Sequence, residues 1–186
     1  MGANEAPSCP PAAPAPWRAQ QSAGDAVVAL VPLVLDTNIA LDLFVFADLA
    51  TAPLRAAIEG SAHGWLATEA MREELARVLA YPQIVKRLAA HSLCARAVLE
   101  AFDQRVCIVP SAPKAAYTCK DPDDQKFIDL AVAHRATLVS KDTHVLSMAK
   151  RLARLGVVVQ RQWLAPLPAA GAACAALSHG VSDATR

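Results

Sequence analysis

The amino-acid sequence predicts an α/β fold, a three-layer α/β/α sandwich built on a central parallel sheet. Short apolar, β-prone blocks alternate with longer stretches of helical period. The segments between successive blocks are long enough for crossovers, which parallel pairing requires. Acidic residues recur just after strand-like blocks, where open parallel sheets place their ligand sites.

Along the chain, residues 1–28 are rich in Pro, Ala and Ser without periodicity and are expected to be a disordered extension. One domain is expected over 29–165, with a second disordered tail over 166–186. Inside the domain "LVLD" reads as the first strand, followed by a helix over 38–48. "GWLAT" is the second strand, and "EAMREELARVLAY" and "SLCARAVLEAFD" are helical. "VCIVP" is the third strand, followed by the helix "DQKFIDLAVAHR", the strand "TLVS", the helix "HVLSMAKRLARLG" and the strand "VVVQ". Trp65 belongs to strand core and Trp163 to packing at the domain end, whereas Trp17 falls in the extension.

The composition bounds the function. With 186 residues and 54% hydrophobic content, one packed core is well supplied. Lys plus Arg total 18 against 17 Asp plus Glu, so a net charge of +1 offers no bulk attraction to a polyanion. Any nucleic acid must be held locally. The cysteines, five and scattered, show no C-x-x-C spacing, which argues against a disulfide framework or zinc knuckle and fits a reducing cytoplasm. Cys94 and Cys107 lie in apolar patterns that suggest inert core. The run "AVVALVPLVL" is 10 residues long, half of the roughly 20 needed to span a bilayer. No export signal is visible and no membrane partner is expected. The histidines His63, His91, His134, His144 and His179 never pair at metal-ligand spacing.

Carboxylates fall next to element boundaries at Asp36, at Glu73 and Glu74, at Asp121, Asp123 and Asp124, and at Asp142. Each has a plain structural explanation. "DPDD" makes a good helix start with Asp121 as N-cap and Pro122 at the first helical position, and Asp142 can cap the next helix. The joint pattern asks for more, because Asp36 and Asp142 both end strands and meet in one crevice if those strands are neighbours. Two unit charges ~4 Å apart repel by about 4 kcal/mol at an effective dielectric near 20, so such a group calls for a cation or shared protons. Oxygen-only ligation favours Mg²⁺ or Mn²⁺ over zinc. Hard cations at a strand end commonly serve phosphoryl chemistry.

The segments "LVLDTNI", "EELARVL", "DPDDQKFIDLAVAH" and "LVSKDTHVL" resemble the PIN domain, and within it the toxin components of bacterial toxin–antitoxin systems. The resemblance covers about residues 31 to 163. It implies a metal-dependent ribonuclease whose Mg²⁺ or Mn²⁺ is held by Asp36, Glu74, Asp124 and Asp142. Glu74 is chosen over Glu73 because the family's E-L-x-x-V-L pattern falls on "ELARVL", six residues after Thr68. Glu73 lies about 100° away around the same helix. Thr37, Asn38 and Ser140 align with positions that orient the carboxylates or metal-bound water, and Asp121 with an outer acid. Lys120, Lys126 and Lys141 flank the acids and are expected at the RNA phosphates, with Lys150, Arg151 and Arg154 as a second set. The resemblance also implies a cognate antitoxin protein as partner. "IALDLFVFADLA", apolar nearly all round, is equally compatible with a homodimer face and with a buried core helix. One departure from the family pattern is His134-Arg135, where related sequences often have Gly for a left-handed helix end. Two other functional classes stay open: a catalytically silent RNA- or partner-binding scaffold, and an aspartate-dependent phosphatase. Phosphatases of that kind present a second acid two residues after the first, and here that position is Asn38.

Overall fold

The computed structural model describes residues 31–60 and 63–164, so the expected extension and tail lie outside the described residues. Among the described residues the strands are β1 (Val31–Leu35), β2 (His63–Ala67), β3 (Val106–Ile108), β4 (Thr137–Val139) and β5 (Val158–Gln160). All neighbours pair in parallel, in the order β3-β2-β1-β4-β5. Right-handed crossovers place the helices between β1 and β3 on one face and those between β3 and β5 on the other. Between β1 and β4 the path across the sheet reverses, which opens a crevice beyond their carboxyl ends. Leu33, Val34 and Leu35 are buried because both faces of the central strand are covered.

The helices are α1 (Thr37–Phe44), α2 (Ala52–Glu59), α3 (Glu69–Leu79), α4 (Pro82–Ala90), α5 (Ala95–Asp103), α6 (Gln125–His134), α7 (Thr143–Ser147) and α8 (Ala149–Ala153). The first is shorter than the 38–48 expected. Ala47 takes a left-handed conformation at φ 48°, and a 3₁₀ turn over Leu49–Thr51 follows, its Asp48 side chain accepting from the Ala50 amide at 2.9 Å. Helices α2 and α4 were not expected; each carries Pro in its first turn, where the missing N–H costs nothing. The single helix expected over "HVLSMAKRLARLG" is broken between α7 and α8 at Met148. In α1, Ile39, Ala40, Leu41 and Leu43 are buried within the chain, so its apolar circumference serves the core.

Helix α6 also starts later than "DPDD" suggested. Asp121 does not cap it; the Asp121 carboxylate accepts from the Asp123 amide at 2.9 Å, and this local turn delays the helix until Gln125. At the other end Arg135, where Gly is usual, adopts the left-handed conformation itself (φ 49°), and the Ala136 amide closes onto the Ala131 carbonyl at 2.9 Å.

The core is organised around Trp65. Its ring stacks on Phe44 at 6.1 Å and meets Phe102 edge-on at 5.1 Å, joining β2 to α1 and α5. Trp65→Ala is expected to cost about 3–5 kcal/mol in urea unfolding, the range for an aromatic removed from a packed core; a loss under about 1 kcal/mol would show that the site collapses freely. Trp163 is buried at the domain end with His63 edge-on at 4.7 Å. The cysteine expectations need correction. Cys107 is exposed on the edge strand β3 and Cys94 is half-buried, while Cys107 and Cys119 are free thiols. Among the described residues no helix is long and apolar enough to cross a membrane.

Candidate active site

Asp36 directly follows β1, and its amide donates to the Val139 carbonyl at 3.0 Å, so the β1–β4 ladder fixes the backbone under it. The side chain is almost fully buried, 5% exposed. Two donors hold it: Ser140 Oγ at 2.5 Å and Asn38 Nδ2 at 2.8 Å, both on Oδ2. Burial raises its pKa above the usual carboxylate range, the hydrogen bonds from Ser140 and Asn38 oppose that rise, and the nearby Glu74 adds to it.

Ser140 follows β4 and serves two acids at once, because its Oγ also accepts from the Asp142 amide at 3.0 Å. Asp142 caps α7, its Oδ1 accepting from the amides of His144 at 2.6 Å and Val145 at 3.3 Å. The capping explanation of Asp142 therefore holds in the structure. It does not exhaust the residue, since Asp142 also sits within hydrogen-bonding reach of Asp124.

Asp124, at the start of α6, is where the charges converge. Its pKa is pushed up to about 7, first by burial and then by Asp36, Asp142 and Asp121, and its protonated form is further favoured by a hydrogen bond to Asp142. Its Oδ2 is buried without a hydrogen-bond partner among the described residues. Asp121 thus adds negative potential at Asp124.

Glu74 enters from α3. Thr37 Oγ1 donates to its Oε1 at 2.7 Å, and Lys126 Nζ pairs with its Oε2. Glu73, one residue earlier, is exposed. The three lysines expected at RNA are not equivalent. Lys120 is exposed, Lys126 is engaged by Glu74, and Lys141 is bridged to Asp42 at 2.7 Å and Asp48 at 3.2 Å. Lys141 therefore ties the turn after β4 to the end of α1 instead of standing free at the rim. Lys150, Arg151 and Arg154 are exposed on and just after α8.

A hard divalent cation fits this donor set in chemistry: oxygen ligands only, an unpartnered buried carboxylate oxygen on Asp124, and excess negative charge around it. Among the described residues no three His, Cys, Asp or Glu side chains stand already spaced around one ion position. The acids are gathered but not closed, and among the described residues the cation paired with one of the four is the Lys126 ammonium on Glu74. A separate cavity of about 560 Å³ lies beside them, past Lys141, lined by Ile39, Leu54, Val159 and Trp163 among others and by none of the four acids.

Sequence reasoning missed the residues that hold the 16-residue connection from β3 to α6 against the site. Gln125 Oε1 accepts from the Cys119 amide at 2.6 Å, its Nε2 donates to Asp129 Oδ1 at 2.6 Å, and Asp129 Oδ1 accepts from the Ala115 amide at 2.8 Å. They read as ordinary helix polar residues because the loop they clamp carries no local pattern. Gln125→Ala is expected to raise amide hydrogen exchange across 113–121 by about tenfold, equivalent to losing one or two buried hydrogen bonds, with the strands unchanged.

A PIN domain family model matches residues 32–144. Among solved structures, the chain is similar to one described as "Crystal structure of VapBC2 from Rickettsia felis bound to a DNA fragment from their promoter". That match has 14% identity and a TM-score of 0.50, and covers 70% of this chain and 98% of the other. At that identity the likeness speaks for the fold. No curated protein matches the chain. The parallel sheet order, the crevice at the β1–β4 switch point and a family match across more than half the sequence agree: the chain belongs to the PIN domain family.

Proposed function

We propose that this chain is a metal-dependent endoribonuclease acting as the toxin of a cytoplasmic toxin–antitoxin pair, with Asp36, Glu74, Asp124 and Asp142 as its catalytic acids. The observation that carries the reading is Asp124, a partly buried carboxyl facing Asp36, Asp142 and Asp121, its pKa pushed up to about 7 by burial first and by those three acids second, with one buried oxygen unpartnered among the described residues. Such an arrangement is costly in a metal-free protein and useful to one that binds a hard cation. Mg²⁺ or Mn²⁺, when bound by these acids, supplies a nucleophilic water and steadies the phosphate oxygens of the RNA.

The chain's own residues do the rest. Ser140 and Asn38 fix the Asp36 carboxylate, Thr37 fixes Glu74, and the α7 cap fixes Asp142, so three of the four acids are oriented before any ligand arrives. Burial of Asp36 and partial burial of Asp124 keep water sparse around the charges. Lys120 and the exposed cations of α8 remain to meet substrate phosphates. The phosphatase alternative is disfavoured by Asn38, which donates to Asp36 Oδ2 where that mechanism wants a second acid. A cognate antitoxin is the proposed partner, suggested by the resemblance to PIN-family toxins.

The direct test is cleavage of a mixed RNA substrate by the purified chain with Mg²⁺ or Mn²⁺ and with EDTA. Cutting that needs the divalent ion supports the proposal; a folded protein that never cuts, or cuts equally in EDTA, moves the silent scaffold ahead.

A further inference from the structure

Lys126 is flanked by acids in the sequence, which suggests a rim lysine reaching outward for phosphate. The structure turns it inward. Its Nζ is held by three groups at once: Glu74 Oε2, the Asp123 carbonyl, and the Phe127 ring, whose centroid lies 4.9 Å away. The Lys126 side chain is 25% exposed and that of Glu74 16%, so this pair is substantially shielded from solvent. Among the described residues no hydrogen-bond donor other than the ammonium serves Glu74 Oε2, whereas Oε1 is already committed to Thr37. The oxygen that Lys126 occupies is therefore the one Glu74 has left for a cation.

We infer that Lys126 is the resident counter-cation of the crevice: it holds Glu74 while the acids are metal-free and yields that carboxylate to an incoming divalent ion. The inference rests on the nuclease reading above and deepens it. A single ammonium is well suited to the exchange, being a compact charge on a flexible four-carbon stem that can swing away without backbone movement. Within the cluster the pair leaves Glu74 neutralised by the chain itself. The consequence is a competition in which every ion bound at Glu74 must first break the Lys126 pair.

The experiment is calorimetric titration of Mn²⁺ into the full chain, for wild type, Lys126→Met and Lys126→Arg, with thermal melts in EDTA and in saturating Mn²⁺. Lys126→Met should bind Mn²⁺ more tightly by on the order of tenfold, the scale of one partly buried ion pair. Its melting temperature should fall in EDTA and match wild type in Mn²⁺, while Lys126→Arg should keep both values near wild type. Mn²⁺ binding by wild type that is equal or weaker in Lys126→Met overturns the counter-cation role alone and leaves the nuclease reading standing. An absence of Mn²⁺ binding in wild type and Lys126→Met overturns both.

Discussion

Asp36→Asn and Asp142→Asn should each lower metal-dependent RNA cleavage by about 10²–10³-fold, the scale on which one preorganised electrostatic contact to a transition state is lost. Both variants should stay folded, for reasons visible in the contacts. Asn at 36 keeps an oxygen for Ser140 and Asn38 while relieving a buried charge whose pKa is already raised by burial. Asn at 142 keeps the oxygen that caps α7 through the His144 and Val145 amides, and Asn is as good an N-cap as Asp. Asp142→Ala would mix lost chemistry with about 1 kcal/mol of lost capping. Glu73→Gln is the matched control: it lies on the same helix as Glu74, is exposed, and should leave cleavage unchanged. Circular dichroism alongside the assay separates chemistry from folding. Cleavage retained in both Asn variants removes these acids from the mechanism.

The second large effect is on stability and needs no substrate. Asp124 has an unfolded pKa near 4 and a folded value of about 7. Because the folded value is the higher one, the native state binds more protons than the unfolded chain between those limits. Stability of the metal-free protein is therefore greatest below about pH 4 from this group, falls as pH rises toward 7, and is flat beyond. Asp36 shifts in the same direction and reinforces the trend. Asp124→Asn removes the charge, so at pH 8 in EDTA it should be more stable than wild type by about 1–2 kcal/mol, after allowing for the solvent screening of a half-buried group. At pH 5 the two proteins should differ little. Saturating Mn²⁺ should reverse the order at pH 8, since the ion stabilises only the chain that binds it well. Identical pH profiles for the two proteins in EDTA would contradict the convergence of charge on Asp124.

Much of this molecule is legible in one dimension. Strand identity follows from apolar blocks such as "LVLD" and "TLVS", which are continuous because both faces of a central parallel strand are covered. The placement of Asp36 and Asp142 in one crevice follows from their positions after strands that the α/β alternation makes parallel, and β1 and β4 do prove to be neighbours. Glu74 over Glu73 came from the resemblance, whose E-L-x-x-V-L pattern falls on "ELARVL", and the structure places Glu74 against Thr37 with Glu73 in solvent.

What the sequence could not decide are contacts whose partners are far apart along the chain. Lys126 and Lys141 look alike as basic residues beside acids, yet one pairs with Glu74 on α3 and the other with Asp42 and Asp48 near α1. A long side chain's partner is fixed by tertiary approach, and local spacing carries no record of it. The same holds for Gln125 and Asp129, whose role depends on a loop without periodicity folding back over them. The late start of α6 was hidden for a different reason: an Asx turn and an N-cap use the same residue types, and only the backbone path selects between them. Composition and period thus determined the sheet and the strand ends that carry Asp36 and Asp142, while Glu74 and Asp124 were singled out by the resemblance to the PIN domain. Tertiary packing alone decided which cations remain free, because ion pairing is settled by distance in space.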